Sequence, residues 1–179
     1  MWDFMNIVKK VTNSLRQDGI SGFLTKVKKH FYNEEKSEYY KWIKENTPSE
    51  RELKEQAKYK FKYEPKISIV VPLYNTPKKY LLELIKYVQK QTYSNWELCF
   101  ADGSTEPLSF VEPIANKDSR IKYKILKENK GISGNTDEAL KMITGDYVAL
   151  LDHDDLIPFN SLYEIVKAIN ENPEVEYLF

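Results

Sequence analysis

From Lys66 to the end of the sequence, short apolar runs alternate with longer segments that place apolar residues at helical spacing. The first run, residues 67–74, is rich in β-branched side chains, and the segment after it, residues 80–89, repeats apolar residues every three or four positions. Apolar strands that alternate with helices require a parallel sheet covered on both faces. Because crossovers between parallel strands are right-handed, such a sheet is doubly wound. The pattern therefore predicts an α/β fold with a doubly wound, mainly parallel sheet.

The same alternation sets the positions of the predicted elements. Strands are expected at residues 67–74, 96–101, 121–126 and 147–151, and a fifth is expected to begin at residues 175–179. Helices are expected at residues 80–89, 110–115, 132–142 and 162–169. An unpaired apolar strand at residues 176–179 would be an exposed sheet edge, so a homo-oligomer is one expected arrangement.

Residues 1–64 differ from the rest of the chain because they contain no strand-like run. Apolar residues at helical spacing predict two amphipathic helices within residues 1–31, separated by Asp18 and Gly19. A third helix is predicted at residues 51–59, after the start signal Thr47-Pro48-Ser49-Glu50. The first two helices carry a surplus of basic residues, namely Lys9, Lys10, Arg16, Lys26, Lys28 and Lys29. We therefore expect a basic helical extension at residues 1–64 and a second domain at residues 65–179.

Two interpretations of the basic helices remain open. In the first, residues 1–31 form a peripheral anchor, with lysines at the anionic inner face of the membrane and aromatic residues in the headgroup region. In the second, the same apolar faces pack on the second domain or on a second subunit. Either interpretation accounts for amphipathic spacing with one charged face.

Charge and cysteine content exclude several classes of protein. The 27 basic residues balance the 27 acidic ones, so the chain lacks the overall charge of a polyanion-binding protein, and nucleic acid is not an expected partner. The single cysteine, Cys99, lies in an apolar segment and is expected to be buried and inert. One cysteine excludes a disulfide framework, which fits a reducing compartment. No apolar run approaches the ~20 residues that cross a bilayer, so a cytoplasmic protein is expected.

Polar residues follow each predicted strand at the point where the strand ends. Because the carboxyl ends of parallel strands meet at one edge of a sheet, these residues are expected to form one cleft. Such a cleft suits a nucleotide, since a carboxylate accepts from base N–H groups and glycine lets a phosphate approach the backbone. The residues are Pro72, Tyr74 and Asn75, then Asp102 and Ser104, then Asn129 and Gly131, and finally Asp152 and Asp154.

The fourth predicted strand leads directly into the acidic cluster at residues 152–155. Carboxylates this close together repel one another unless a cation or solvent relieves the repulsion. Neither common glycine-rich phosphate loop follows a predicted strand, so a bound diphosphate would need a metal for neutralisation. Asp152 and Asp154 supply the hard oxygen ligands that Mg²⁺ or Mn²⁺ prefers, with His153 as a spacer. The alternative is a solvated loop whose acids cap the following helix.

Four motifs lie on successive strand ends: Ile69-Val70-Val71-Pro72-Leu73-Tyr74-Asn75, Ala101-Asp102-Gly103-Ser104, Asn129-Lys130-Gly131-Ile132-Ser133 and Leu151-Asp152-His153-Asp154-Asp155. In this order and spacing they resemble the family 2 glycosyltransferases, which have the Rossmann-like GT-A fold. The resemblance covers residues 66–179. It implies transfer of a sugar from a nucleoside diphosphate sugar, commonly a uridine one, with inversion at the anomeric carbon.

The resemblance also implies a role for each site residue. Tyr74 and Asn75, after Pro72, would border the nucleoside, and Asp102 would contact the base. The Asp152-x-Asp154 sequence would be the DXD motif, in which Asp152 faces the ribose or the metal and Asp154 binds the Mn²⁺ or Mg²⁺ ion on the diphosphate. The donor pocket would also be lined by Gly131 and Ser133.

The resemblance leaves the acceptor side of the reaction outside the sequence. The family's catalytic base follows the next strand and is expected beyond Phe179, so the chain is expected to be the donor-binding part of a transferase. Its acceptor would be a glycan or lipid-linked molecule in surface polysaccharide synthesis. The helix after the glycine motif has Asn135-Thr136-Asp137 where the family often has Ala-Arg-Asn, so the contact of that arginine is not expected.

Two other functions remain as alternatives. One is a non-catalytic nucleotide-sugar-binding or assembly module that its basic helices recruit to a complex. The other is a sugar nucleotidyltransferase, which should carry a glycine-rich, arginine-containing loop after the first strand. Residues 72–77, Pro-Leu-Tyr-Asn-Thr-Pro, argue against the second alternative.

Overall fold

The computed structural model describes residues 38–177. Its contacts divide the chain into two compact units, Met1–Thr47 and Pro48–Phe179. In the first unit, residues 38–46 are helical (α1), and the side chains of Asn46 and Thr47 donate to the carbonyls of Trp42 and Ile43. The helices predicted within residues 1–31 lie outside the described residues. No helix within residues 38–177 is both long enough and apolar enough to cross a membrane.

The second unit begins with a short capped helix, α2 (Glu50–Gln56). The Ser49 hydroxyl accepts from the Glu52 backbone N–H at 3.3 Å, and the Glu52 carboxylate accepts from the Ser49 N–H at 2.7 Å. This reciprocal pair is a capping box, which satisfies two N–H groups that a helix start would otherwise leave unpaired. The start signal predicted around Ser49 is therefore confirmed.

Four parallel strands form one sheet with the spatial order β3-β2-β1-β4. The strands are β1 (Ile67–Leu73), β2 (Trp96–Asp102), β3 (Ile121–Ile125) and β4 (Tyr147–Leu150). The central strand β1 pairs with β2 along its whole length, which places Leu73 opposite Asp102. Its other side pairs with β4 over residues 67–70. The predicted α/β fold with a parallel sheet is confirmed.

Helices cover both faces of this sheet. They are α3 (Lys78–Gln89), α4 (Glu112–Ala115), α5 (Gly131–Leu140) and α6 (Ser161–Glu171), with a 3₁₀ turn at Ser109–Val111 before α4. In the main core, Ile69 and Val71 of β1 pack with apolar side chains of α3 and α6. Val70 points to the opposite face, where it packs with Ala139 of α5. The doubly wound arrangement follows from this alternation along β1.

The last described residues do not extend the sheet. Residues 175–177 are irregular, so they do not form the start of the predicted fifth strand, and residues 178–179 lie outside the described part. Within residues 38–177, β4 is therefore an edge strand.

Cys99 is buried as predicted, and burial raises the pKa of its thiol to about 11. The thiol is consequently protonated at neutral pH and inert.

A buried carboxylate fixes the turn that leads into β4. Glu97 of β2 is 1% exposed, and it accepts from the ammonium groups of Lys66 and Lys122 at 2.6 and 2.9 Å. It also accepts from the backbone N–H and hydroxyl of Thr144 and from the hydroxyl of Ser68. Burial alone would raise the pKa of Glu97, but these partners hold it well below its ordinary value. The carboxylate thereby ties the turn at residue 144 to β1 and β2.

Candidate functional site at the carboxyl edge of the sheet

The segments that follow the four strands meet at one edge of the sheet, where a cleft of about 270 Å³ opens. Of the ten residues predicted at this cleft, six line it: Pro72, Tyr74, Asn129, Gly131, Asp152 and Asp154. The other lining residues are Leu73, Ile132, Asn135 and His153. The four predicted residues outside the lining are Asn75, Asp102, Ser104 and Ser133.

Asn75 joins the segment after β1 to the segment after β2. Its φ of 51° is left-handed, a conformation that asparagine adopts more readily than most residues with a β-carbon. Its N–H donates to the Ser104 hydroxyl at 2.8 Å, and its side-chain oxygen accepts from the Thr105 N–H at 3.1 Å. These bonds fix the backbone directly after Tyr74, a residue that is 49% exposed and lines the cleft.

Asp102 lies beneath the cleft with its carboxylate already paired. It is 1% exposed, and it accepts from the backbone N–H groups of Ser104 and Leu108 at 2.9 and 2.8 Å. The Tyr123 hydroxyl of β3 donates to the same carboxylate at 2.5 Å, and burial together with this bond raises the pKa of Tyr123. In this structure Asp102 therefore orders residues 102–108, and its contact with a base stays a prediction.

The segment after β3 is held by Asn135, one turn into α5. The side chain is 2% exposed, and its Nδ2 donates to the Leu73 carbonyl at 3.3 Å and to the Asn129 side-chain oxygen at 3.0 Å. Its Oδ1 accepts from the Lys130 N–H at 3.0 Å. Gly131, which begins α5, has a φ of +73°, a conformation that is strained for residues with a β-carbon. One amide thus connects the end of β1 to the turn that lines the cleft.

Asn135 is not among the site residues predicted from the sequence, although its position in α5 carries a signal. Asn135 lies one helical turn before the buried Ala139, on the same side of α5. A polar amide on the buried side of a helix requires hydrogen-bond partners outside that helix, because burial without them is unfavourable. The position of Asn135 on the buried side of α5 therefore indicates that its amide is hydrogen-bonded to another segment, although it does not identify that segment.

The acidic residues after β4 lie at the surface of the cleft. The side chain of Asp154 is 61% exposed, and its Oδ1 lies 3.7 Å from Nδ1 of His153. Asp155 lines an adjacent cleft of about 280 Å³, whose lining also includes Asp152. Among residues 38–177, no three His, Cys, Asp or Glu side chains are arranged to hold a metal. Asp152 and Asp154 are the two carboxylates in the lining of the cleft, and their role as metal ligands stays a prediction.

The residues that line the cleft include no lysine or arginine. Lys130 directly precedes Gly131, but its stem lies against Gly134 and its ammonium group binds Glu138 at 2.8 Å. Glu138 also binds Lys124 and Lys141 at 2.6 and 2.8 Å, and the three ammonium groups hold its pKa well below the ordinary value. The neighbouring basic charge is thus directed to Glu138 and away from Asp152 and Asp154.

The fold is that of an α/β protein with a cleft at the carboxyl edge of its parallel sheet, which is the edge where open α/β sheets bind their ligands. The sequence profile described as glycosyl transferase family 2 matches residues 68–177. The chain therefore belongs to glycosyl transferase family 2, as the four strand-end motifs predicted.

Relatives of this chain include both sequences and a solved structure. An uncharacterized glycosyltransferase of Rickettsia conorii is 39% identical over 108 residues, which are 60% of this chain and 18% of that protein. The Escherichia coli protein named UDP-Glc:alpha-D-GlcNAc-diphosphoundecaprenol beta-1,3-glucosyltransferase WfgD is 36% identical over 106 residues, which are 59% of this chain and 42% of that protein. The structure of Staphylococcus aureus TarS 1–349 with UDP matches with a TM-score of 0.56 at 28% identity, over 60% of this chain and 33% of that one. The similarity to TarS confirms the predicted GT-A fold, and the chain spans less than half of each relative.

Proposed function

We propose that the chain is the donor-binding part of a metal-dependent, inverting glycosyltransferase whose donor is a UDP-linked sugar. One observation carries the proposal: the cleft at the carboxyl edge brings Tyr74, Gly131 and the Asp152-x-Asp154 pair together from three different strand ends. Ligands of open α/β sheets bind at this edge. Membership of the family supports the proposed reaction class, and the geometry of the cleft supports the choice of residues.

A divalent cation fits the side chains of the cleft. Mg²⁺ and Mn²⁺ bind through hard oxygen ligands, and Mg²⁺ commonly takes one or two protein carboxylates together with substrate phosphates and water. Asp152 and Asp154 would supply those carboxylates, and no lysine or arginine of the lining competes for the diphosphate. When bound, such a cation supplies Lewis-acid stabilisation of the negative charge that grows on the leaving diphosphate.

The side chains of the cleft divide into two roles. Tyr74 offers an exposed ring beside which a nucleoside can lie, and Asn75 fixes the backbone after Tyr74 through Ser104 and Thr105. Pro72 and Gly131, which line the cleft, are assigned to the wall of the donor pocket. Uridine is the preferred base because the related TarS structure holds UDP and the relative WfgD is named for UDP-Glc.

The acceptor is proposed to be a glycan or a lipid-linked sugar in surface polysaccharide synthesis. The name of WfgD specifies an acceptor on a diphosphoundecaprenol lipid, which is the basis for this part of the proposal. A cytoplasmic protein held at the inner face of the membrane by residues 1–31 would meet such an acceptor. Deprotonation of the acceptor hydroxyl is assigned to none of residues 38–177.

The proposal is tested by calorimetric titration of the chain with UDP and GDP, each with and without Mn²⁺. We expect UDP to bind in the presence of Mn²⁺ and to lose about tenfold or more in affinity without the metal or in Asp154→Ala, because the diphosphate then lacks its counter-charge. The matched control is Asp137→Ala, which removes an exposed carboxylate of α5 that does not line the cleft. Metal-independent binding, or equal losses in both variants, would contradict the proposed site.

A further inference from the structure

We infer that Asn135 is a positioning residue of the donor site, whose carboxamide sets the relative places of three strand-end segments and so the affinity for a nucleoside diphosphate. The inference rests on the proposed function, because it concerns the same cleft. Asn135 acts on the donor through Leu73, Gly103 and the turn at residues 129–131, and it is not itself a ligand of the donor.

The hydrogen bonds of Asn135 leave its amide with one orientation. Both protons of Nδ2 are used, one by the Leu73 carbonyl and one by the Asn129 side-chain oxygen. A flipped amide would turn its oxygen toward these two acceptors and its nitrogen toward the Lys130 N–H. Because both donors are spent on the protein, the amide nitrogen has no proton left for a ligand.

The segment after β2 packs directly on the same amide. A β-carbon at Gly103 would lie 2.7 Å from Nδ2 of Asn135 and 3.1 Å from Cα of Asn129, so only glycine permits this approach. The Gly103 N–H donates to the Leu73 carbonyl at 3.0 Å, which is the same oxygen that Asn135 contacts. The ends of β1 and β2 and the turn before α5 therefore converge on one side chain.

This convergence controls the walls of the cleft. Leu73 precedes Tyr74, and Asn129 and Gly131 both belong to the lining. If the amide no longer joined these segments, donor binding would have to order them, and the free energy of that ordering would weaken the affinity. Asn135 itself is 2% exposed, so its effect on a ligand passes through the groups that it holds.

The test compares two isosteric substitutions, Asn135→Asp and Asn170→Asp. Asn170 of α6 makes a matched set of bonds, because its Nδ2 donates to the Tyr63 and Val166 carbonyls and its Oδ1 accepts from the Tyr63 N–H. It does not line the cleft. Each substitution removes two hydrogen-bond donors, so both variants should be less stable to urea. Only Asn135→Asp should alter the cleft, because only Asn135 joins segments that line it.

We expect Asn135→Asp to weaken UDP binding in the presence of Mn²⁺ by about tenfold, and Asn170→Asp to leave it within about twofold, under conditions where both are folded. The Gly131 N–H donates to the Asn129 side-chain oxygen that the amide of Asn135 holds, so amide hydrogen exchange at Gly131, measured without nucleotide, should accelerate in Asn135→Asp alone. If Asn135→Asp does not fold, Gly103→Ala probes the same contact with the amide intact, and we expect a loss of about threefold or more.

The possible failures are distinguishable. If the wild-type chain does not bind UDP with Mn²⁺, the proposed function fails, and this inference fails with it. If the wild type binds and Asn135→Asp binds equally well, or if both variants lose affinity equally, only the positioning role of Asn135 is overturned. Unchanged exchange at Gly131 in Asn135→Asp would overturn that role without reference to any nucleotide.

Discussion

At the scale of single residues, Glu97 buries a carboxylate with two ammonium groups at the amino end of the sheet. Glu97→Gln should lower the free energy of unfolding at pH 7 by about 2 kcal/mol, since the amide loses the charge and turns its N–H₂ group either toward both ammonium groups or toward the Thr144 N–H. Both lysine side chains are about a third exposed and can turn to water, which limits the loss. Urea denaturation of the wild type and of Glu97→Gln at pH 7 measures this loss of unfolding free energy.

The pH dependence of this difference has a definite sign. The folded-state pKa of Glu97 is lowered, so its contribution is complete above the ordinary glutamate pKa of about 4.3 and is lost as the pH falls through the folded-state pKa. The difference in the free energy of unfolding between the wild type and Glu97→Gln should therefore shrink as the pH falls below about 5. Glu174→Gln, which changes an exposed carboxylate, is the control. A difference that is constant from pH 7 to pH 3 would contradict the assignment.

At the scale of elements, the turn before β4 depends on a glycine that lies close to β1. A β-carbon at Gly145 would lie 2.5 Å from the Ser68 hydroxyl and 2.6 Å from the Lys66 carbonyl, so backbone must move to admit it. Gly145→Ala should cost about 1–3 kcal/mol of unfolding free energy. At Gly131 a β-carbon would meet nothing within 4 Å and only the φ of +73° is unfavourable, so Gly131→Ala should cost about 1 kcal/mol. Urea denaturation of the two variants checks this order, and a larger loss in Gly131→Ala would refute it.

The elements themselves were predictable because their signals are local. The central strands β1 and β2 are buried along most of their length and mainly apolar, and α3 and α6 repeat apolar residues with the period of a helix, so the sequence of each segment indicates its structure. The partners of buried polar groups are not local: Asn135 binds Leu73, and Glu97 binds Thr144. Those pairings depend on register and topology, which the hydrophobic pattern leaves open. The expected fifth strand at residues 175–179 illustrates the limit, since its described residues are apolar in part and yet irregular.

At the scale of the whole molecule, the segment that precedes β1 is part of the second unit and contacts α6. We call residues 57–65 the strap. The Phe61 ring lies 5.1 Å from the Tyr163 ring and 6.1 Å from the Tyr93 ring, measured between centroids. The backbone of Tyr63 exchanges two hydrogen bonds with the Asn170 side chain. The division of the chain at Thr47 and Pro48 leaves all of these contacts within one unit.

Two shortened chains separate the strap from the N-terminal residues. A chain that starts at Pro48 keeps the strap, so it should unfold cooperatively and bind UDP with Mn²⁺ like the full chain. A chain that starts at Lys66 loses the aromatic contacts of Phe61, and it should be less stable to urea by roughly 3 kcal/mol or more. Equal stability of these two chains would show that the strap contributes nothing to the fold.

The chain that starts at Pro48 also tests the proposed membrane contact of residues 1–31. Basic residues near an anionic surface contribute about 1 kcal/mol each, so removing the six lysines and arginines of that segment should abolish binding to such a surface. We expect the full chain to float with vesicles that contain anionic lipid, and to remain at the bottom with neutral vesicles. The chain from Pro48 should remain at the bottom with both. Equal flotation of the two chains would exclude the anchor and favour packing of the basic helices on protein. UDP binding, measured on the same samples, is the control that the donor site of both chains is intact.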